Sequence, residues 1–543
     1  MLLVLACGVA FFWRLGDLGL LGPDEPRYAR VAREMWTQGE WITPTLGKTP
    51  WFEKPALLYW LIGLGYHLIG VNEWAVRLPS AVAATLTVLA LSALRPAHLG
   101  WSAALIATTS PLMLAFARAA TFEALLTFAV TISLLMFHLS FEAVQSGWRM
   151  TVDFARVLFY VFLGIGLLAK GLVGLVLPVG SILLYALVVP DVRRQPAFFL
   201  RTLRPLTGLF ITAAVAGIWY IPVMAQHGWA FVEEFFIAHH FQRFTSNRFR
   251  HPGPAYYYAP IVLLGVLPWT PFLLAGLYRS LRRLWRPNKL ENALSEAPQS
   301  LIWLALCAFT FPILFFSFSG SKLPGYVLPA IPFAAILAAY GFWSLSARMR
   351  TLWLGVAGLG QVGLYIGLQI FIDKSLMEKT LSFIELFAGG LLVAGLGVSA
   401  VYAAQPSDAL LRLSGGTLLL VLWLTTSFPA LEAKFSTKGL SAAIDRAAQP
   451  GEIVAFFGCR EYAPVFYNPA YTTCCDATRE PYHLPNQAAV AAAVAERRTL
   501  LVVVPKARLA MLQSSAYTLT LLGEAGRFTL ARLTATGPPS PKA

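Results

Sequence analysis

Two short segments near the start of the chain combine acids and bases in a sequence where charge is scarce. The first, GPDEPRYA, carries the adjacent acids Asp24 and Glu25, and the second, WFEKP, carries Glu53 and Lys54. An acid in such a place can act as a general base or orient a substrate, and a lysine can grip a phosphate as a point charge. Ordinary explanations also exist, because acids before a proline begin a helix and a lysine at a membrane surface extends towards water.

Three further candidates lie where apolar runs begin or break. Glu123 opens an apolar run, and an acid at the mouth of a membrane helix is a functional candidate, with a plain surface position as the alternative. Lys322 and Tyr326 lie among small residues and prolines in SKLPGYVLP. A broken segment of this kind is tolerated at a membrane boundary when it is buried in protein or lines a wet cavity.

A fourth segment, EEFFIAHHFQRF, carries His239, His240 and Arg243. A histidine pair near a carboxylate can bind a divalent cation, although adjacent histidines on a helix point in different directions. Basic residues interleaved with aromatic ones also suit single-stranded nucleic acid. The predicted orientation of this loop, given below, argues against nucleic acid.

The composition determines what kind of protein positions these residues. Hydrophobic residues make up 57% of the 543 residues and charged residues 13%, whereas a soluble protein has roughly 45–50% apolar and 25% charged residues. This excludes a cytosolic enzyme, a disordered protein and a disulfide scaffold, and it indicates a polytopic membrane protein. The five cysteines show no zinc-site spacing.

The apolar residues form runs long enough to cross a bilayer, which needs about 20 helical residues. Residues 1–13 are apolar but short, and we interpret them as the second half of a first span. Segment 56–70 is also short, and its flanking tryptophans predict a helix that lies in the membrane interface. The expected total is about 13 spans: residues 1–13, 79–95, 100–117, 120–141, 155–169, 171–189, 205–224, 256–278, 300–318, 326–346, 351–372, 382–404 and 409–428.

The distribution of arginine and lysine among short loops predicts the orientation. One set of alternate loops holds most of these residues and is therefore cytoplasmic. The loops 14–78 and 225–255, the turns near residues 118, 170 and 319–325, and the tail face outward. Most of the net charge of +15 is thus explained by the orientation of the protein in the membrane. Nine candidates from four outer segments converge at similar depth: Asp24, Glu25, Glu53, Lys54, Glu123, His239, Arg243, Lys322 and Tyr326. The sequence therefore predicts one membrane-surface cavity that contains both acids and phosphate-binding cations.

The tail differs from the rest of the chain. Residues 452–458, 499–505, 517–523 and 527–534 resemble strands, and residues 439–448 and 487–498 resemble helices. The sequence therefore predicts a transmembrane domain over residues 1–428 and an outer α/β domain over residues 429–543. Cys459 could pair with Cys474 or Cys475 in an oxidising compartment, or all three could be free thiols.

These motifs resemble those of the integral-membrane GT-C glycosyltransferases. The segments GPDEPRYA, WFEKPALLYW, FFIAHHFQRF and SKLPGYVLPAIP are most similar to the family of undecaprenyl phosphate-aminoarabinose lipid A transferases, the enzymes of polymyxin resistance. The acidic pair also occurs in related protein mannosyltransferases. The resemblance implies an α-helical GT-C fold in the bacterial inner membrane, with about 13 transmembrane helices, a periplasmic active site and a C-terminal periplasmic α/β domain.

The resemblance also implies roles for the candidate residues. Catalysis would involve Asp24, with Glu25 and Glu123 as further acids, although the family often has aspartate at the last position. The donor phosphate would bind Lys54, Arg243, Lys322 and Tyr326. No cofactor is strictly required, but a divalent metal, Zn or Mg, could bind Glu53 with His239 or His240. The implied partners are an undecaprenyl phosphate-linked sugar, a lipid A acceptor and membrane lipids, with no nucleic acid and with a monomer expected.

Two other functions compete with this one. A related transferase would pass a polyprenyl phosphate-linked sugar to a hydroxyl group of a protein or polysaccharide. A transporter of anionic lipids would need polar residues near the bilayer midplane and often inverted repeats. The predicted spans are poor in charge at that depth, and the sequence shows no internal repeat.

Overall fold

The computed structural model describes residues 1–47, 49–145, 147–242, 252–285, 298–376, 383–449, 452–459, 461–472 and 482–536. Within these residues, eight helices are long and apolar enough to cross a membrane, and two bent helix pairs raise that number to ten. The chain is a multi-pass membrane protein. Its membrane region comprises α1 (Leu2–Cys7), α4 (Glu73–Ser92), α5 (Ala97–Thr108), α6 (Pro111–Ala117), α7 (Phe122–Gln145), α8 (Arg149–Lys170), α9 (Val173–Val188), α10 (Pro190–Arg194), α11 (Pro196–Leu203), α12 (Pro205–Phe231), α13 (Tyr258–Gly265), α14 (Thr270–Trp285), α15 (Gln299–Ser317), α16 (Ile331–Ser344), α17 (Ala347–Leu376), α18 (Phe383–Val401) and α19 (Pro406–Thr426).

Every predicted span coincides with one of these helices or bent pairs. The helices at Leu2–Phe12, Val173–Val188 and Phe387–Val401 are apolar but shorter than the others, so the number 13 stays a prediction. The span predicted at 79–95 begins earlier, at Glu73, where the Asn72 side chain accepts a hydrogen bond from the Ala75 N–H and caps α4. The span predicted at 256–278 is a pair, α13 and α14, bent by 117°.

The first loop contains two helices, α2 (Asp24–Gln38) and α3 (Leu57–Ile69), with a short strand pair, β1 (Thr45–Leu46) and β2 (Thr49–Pro50), between them. The predicted apolar face of α2, formed by Tyr28, Val31, Ala32 and Met35, is buried. Helix α3 buries one side against α2 and α4 while Leu64 and Leu68 stay exposed. That one-sided burial is what an interfacial helix requires, and its placement in the interface stays a prediction.

The centre of the helical region is very tightly packed. The most apolar 18 residues of the span that contains α16 are all buried within the protein. A Cβ atom at Gly276 of α14 would overlap the carbonyl oxygen of Leu337, and one at Gly341 of α16 would overlap that of Phe272. The two helices therefore approach backbone to backbone, which only glycine at both positions allows.

The tail forms the small α/β domain that the sequence predicts. Helices α20 (Phe428–Phe435) and α21 (Lys438–Ala447) lead into a five-stranded sheet. Its strands are β3 (Val454–Phe457), β4 (His483–Leu484), β5 (Thr499–Pro505), β6 (Tyr517–Ala525) and β7 (Phe528–Ala535), and they lie in the order β4-β3-β5-β7-β6. Strand β3 is parallel to β4 and β5, and β7 is antiparallel to β5 and β6. Cys459 is a free thiol, and Cys474 and Cys475 lie outside the described residues. The domain also contains the helices α22 (Ala463–Tyr467), α23 (Pro469–Thr472) and α24 (Gln487–Arg497).

Candidate active site

Four charged residues of the first loop form a connected group, which we call the first-loop charge cluster: Asp24, Arg27, Glu53 and Lys54. Arg27 Nη2 lies 2.5 Å from Asp24 Oδ1 and 3.4 Å from Glu53 Oε2, and Lys54 Nζ lies 3.4 Å from Glu53 Oε1. The Asp24 side chain is 54% exposed, whereas those of Glu53 and Lys54 are 9% and 14% exposed. The cluster therefore runs from an accessible acid to a largely buried cation.

Two aromatic side chains of the first loop pack against Arg27 of this cluster. The Arg27 guanidinium lies 5.4 Å from the Tyr28 ring centroid and 5.5 Å from that of Trp51. Burial raises the pKa of Tyr28 well above its ordinary value, and the negative charges of Glu53 and Asp24 raise it further. Tyr28 consequently remains a neutral hydroxyl, and the aromatic contacts fix Arg27 between its two carboxylates.

Glu25, the second acid of the pair, points away from the cluster into the protein. Its carboxylate accepts hydrogen bonds of 3.0 and 2.8 Å from Arg77 and of 2.9 and 2.8 Å from the backbone N–H groups of Leu21 and Ala120. Burial alone would raise the pKa of Glu25, but the charge of Arg77 and these hydrogen bonds hold it below its ordinary value. This geometry supports a structural role for Glu25, and the catalytic role that the resemblance implies stays a prediction.

Glu123 and Lys170 form a second group at the ends of two spans. Glu123 opens α7 and Lys170 ends α8, and their side chains form an ion pair of 2.7 Å. Lys170 Nζ also lies 4.8 Å from the Tyr326 ring centroid. A Cβ atom at Gly325 would lie 2.9 Å from Glu123 Cγ, so the backbone before Tyr326 is packed onto the acid. Lys54 is near enough to stabilise the charge of the same carboxylate, so the two groups are neighbours.

The structure thus brings together Asp24, Glu53, Lys54, Glu123 and Tyr326 from three separate segments. Lys322 is 8% exposed, and its ammonium group donates a 2.6 Å hydrogen bond to the Ser319 carbonyl of its own loop. Its predicted contact with a donor phosphate stays a prediction. Arg243 lies outside the described residues.

The residues predicted to hold a metal do not form a complete ligand set among the described side chains. His239 is half-buried in the π-helix Val232–Gln242, and the His240 side chain lies outside the described residues. Glu53 is paired with Arg27 and Lys54. In the described part of the chain, no three histidine, cysteine, aspartate or glutamate side chains are grouped to hold a metal ion. The metal site therefore stays a prediction.

Two important cations were not among the sequence-based candidates. Arg77 binds Glu25, and its position just before the span predicted at 79–95 gives no sequence signal of that contact. Lys170 carried a clearer signal, since it is the only charged residue between Arg156 and Asp191. An isolated charge between two apolar runs is a functional candidate by default.

Comparison with known proteins places this fold. The search of solved structures finds ArnT from Cupriavidus metallidurans bound to undecaprenyl phosphate, with a TM-score of 0.75 over 99% of this chain and 98% of that one, at 24% identity. The same protein in its apo state gives a TM-score of 0.76 at 22% identity. Residues 53–221 match the family model described as dolichyl-phosphate-mannose-protein mannosyltransferase.

Among curated proteins, the chain is similar to undecaprenyl phosphate-alpha-4-amino-4-deoxy-L-arabinose arabinosyl transferases. That of Erwinia tasmaniensis is 33% identical over 59% of this chain and 55% of the relative, and that of Photorhabdus laumondii is 29% identical over 66% and 61%. The matches thus span less than two thirds of these relatives' length. The chain has the fold of the integral-membrane GT-C glycosyltransferases. Among proteins of that class, it shares the fold of ArnT and is similar in sequence to the aminoarabinose transferases.

Proposed function

We propose that this protein transfers 4-amino-4-deoxy-L-arabinose from undecaprenyl phosphate to a phosphate group of lipid A. The transfer takes place at the periplasmic side of the bacterial inner membrane and confers resistance to polymyxin and other cationic peptides. The observation that carries the proposal is the grouping of Lys54, Lys170, Glu123 and Tyr326 at the ends of membrane helices, within a fold shared with an ArnT that binds undecaprenyl phosphate.

The chemistry explains why cations are needed at this depth. The leaving group of the reaction is the polyprenyl phosphate, which gains negative charge as the glycosidic bond breaks. Preorganised cations at its oxygens stabilise that charge, and burial strengthens the effect. Lys54 is the best placed of the described cations, because its ammonium group pairs with Glu53 and also acts electrostatically on the Glu123 carboxylate, the partner of Lys170.

The accessible acid has a different task. A lipid A phosphate is already ionised near neutral pH, so activation by a general base contributes little. Asp24 is exposed at the edge of the first-loop charge cluster and is held by Arg27. We infer that it orients the donor sugar, through the sugar's amino group, and that it does not remove a proton.

Asp24→Asn tests this role. We expect turnover to fall roughly ten- to a hundredfold, the size expected for a misplaced substrate, with the shape of the pH profile unchanged. Transfer rates measured across pH decide the question. Asp153→Asn, which changes an acid near the predicted cytoplasmic end of α8, is the control and should retain activity. Loss of the acidic limb of the profile in Asp24→Asn, where activity falls because a base becomes protonated, would instead make Asp24 a general base.

The substrate assignment is tested by product chemistry. Purified protein is incubated with lipid A and undecaprenyl phosphate-linked aminoarabinose, and the products are analysed by mass spectrometry. We expect one added aminoarabinose per modified lipid A phosphate. The match to a mannosyltransferase family favours one alternative, transfer to a hydroxyl group of a protein or polysaccharide. Activity on such an acceptor alone would overturn the lipid A assignment, and movement of unmodified anionic lipid without transfer would indicate a transporter.

The same proposal includes the orientation of the protein in the membrane, its oligomeric state and the part played by a metal. The arginine-rich helix ends at Arg149 of α8 and Arg282 of α14 support a cytoplasmic position for that end of the bundle. The outer loops and the α/β domain are then periplasmic. We further propose that the protein acts as a monomer, and that a divalent metal bound near Glu53 and His239 assists donor binding without being required.

A further inference from the structure

One side chain, that of Arg77, binds three backbone carbonyl groups in residues 15–21, the segment before α2. Arg77 donates hydrogen bonds to the carbonyl oxygens of Leu15, Leu18 and Gly19 at 2.9, 2.6 and 3.0 Å. The same guanidinium binds Glu25. This side of the segment is therefore attached to the membrane domain.

Two of the three N–H groups of residues 19–21 are bound by the tail. The Gly19 N–H donates to Glu432 Oε2 at 3.1 Å and the Leu20 N–H donates to the Tyr467 hydroxyl at 3.0 Å, while the Leu21 N–H donates to Glu25. Leu21 also forms an antiparallel bridge with Ser436. Two of these three N–H groups thus depend on residues after position 428.

Tyr467 connects both domains through one oxygen atom. Its hydroxyl accepts from Leu20 and donates to Glu73 Oε1 at 2.9 Å, and Lys438 Nζ lies 2.7 Å from the same carboxylate oxygen. Burial raises the pKa of Tyr467, and the charge of Glu73 raises it further. The phenol therefore stays protonated and can donate to Glu73 while it accepts from the backbone.

The neighbouring residue, Phe466, attaches the same end of α22 to the first loop. Phe466 is 2% exposed and belongs to the apolar core of the first loop. Its carbonyl oxygen accepts a 2.6 Å hydrogen bond from Arg33 of α2. Helix α22 is thus attached to the first loop both before and within α2.

We propose that Tyr467 is a positioning residue for the active site and that Glu432 assists it. Together they fix the backbone at residues 19–20, and α2 begins with Asp24 only four residues later. The α/β domain would then be part of the catalytic apparatus and not an independent module. This inference rests on the proposed function, in which the position of Asp24 controls the orientation of the sugar.

Tyr467→Phe removes only the hydroxyl group. Because a single hydrogen-bond network is lost, we expect kcat to fall about tenfold with the donor KM unchanged. Hydrogen exchange at the Leu20 and Leu21 amides should become faster, and the midpoint of thermal unfolding should change little. Tyr517→Phe, which removes the hydroxyl group of a buried tyrosine in β6 of the α/β domain, is the matched control and should change neither quantity.

A double-mutant cycle with Asp24→Asn separates positioning from a general loss of stability. If Tyr467 acts by placing Asp24, Tyr467→Phe should have little further effect on kcat in the Asp24→Asn background. Glu432→Gln should behave in the same way, to a smaller degree. Fully multiplicative losses, or faster amide exchange without a fall in kcat, would overturn the inference. Absence of sugar transfer by the wild-type protein would overturn the proposed function instead, and the amide exchange would still report on the contact.

Discussion

Lys54→Met should reduce kcat/KM for sugar transfer about 100- to 1,000-fold, the loss that follows removal of one preorganised stabiliser of developing negative charge. The Lys54 side chain is 14% exposed and lies beside Glu53 and the Glu123 carboxylate, so its charge acts in a partly water-excluded setting. Glu53 keeps Arg27 as an ion-pair partner after the change. The variant should therefore fold, and the loss should appear in the chemical step.

The comparison needs a lysine whose removal leaves the site intact. Lys506→Met breaks an exposed pair with Glu524 in the α/β domain and should leave transfer unchanged. Lys54→Arg keeps the positive charge and should restore part of the activity. A loss below threefold in Lys54→Met, or an equal loss in Lys506→Met, would contradict the assignment of Lys54 to the donor phosphate.

Arg77→Met should destabilise the protein by about 3–5 kcal/mol, as expected when a buried ion pair loses one partner. The substitution leaves Glu25 buried without its cation and removes the donor for the carbonyl groups of Leu15, Leu18 and Gly19. The midpoint of thermal unfolding in detergent measures the effect. Lys506→Met, which breaks a pair that is about half exposed, should cost at most about 1 kcal/mol.

The pH dependence of that destabilisation identifies its cause. In the wild type the pKa of Glu25 is lowered, so the pair stabilises the protein above the ordinary value of about 4.3 and the stabilisation is lost as pH falls through the lowered pKa. Without Arg77, burial raises the pKa of Glu25 and acid neutralises it earlier. The stability gap between Arg77→Met and the wild type should therefore narrow on acidification. A gap that is constant with pH would show that Glu25 is not responsible.

Elements with a strong local pattern could be predicted from the sequence. Strands at 499–505 and 527–534 alternate or cluster β-branched and apolar residues, and β5 and β7 form there. The face of α2 that begins at Tyr28 follows helical spacing and is buried. Such features depend on residues that are close together in the sequence, so the local hydrophobic pattern is enough to predict them.

The remaining features depend on partners that are distant in the sequence. Glu73 and Arg77 precede the span predicted at 79–95, yet they belong to α4, where Lys438 and Glu25 neutralise them. The bend between α13 and α14 could not be located from an apolar run that continues across it. Likewise, the separate roles of Asp24 and Glu25 follow from Arg77, whose contact with Glu25 crosses 52 residues.

The close approach of Gly276 and Gly341 has a consequence for genetics. Any side chain at either position must separate α14 from α16, since the obstruction is backbone and cannot move aside as a side chain can. In a mutational scan scored by growth in polymyxin, these two glycines would rank with the charged residues of the first loop. A separate measurement of protein abundance would divide the two groups, because glycine variants would lose the protein and Lys54 variants would keep it.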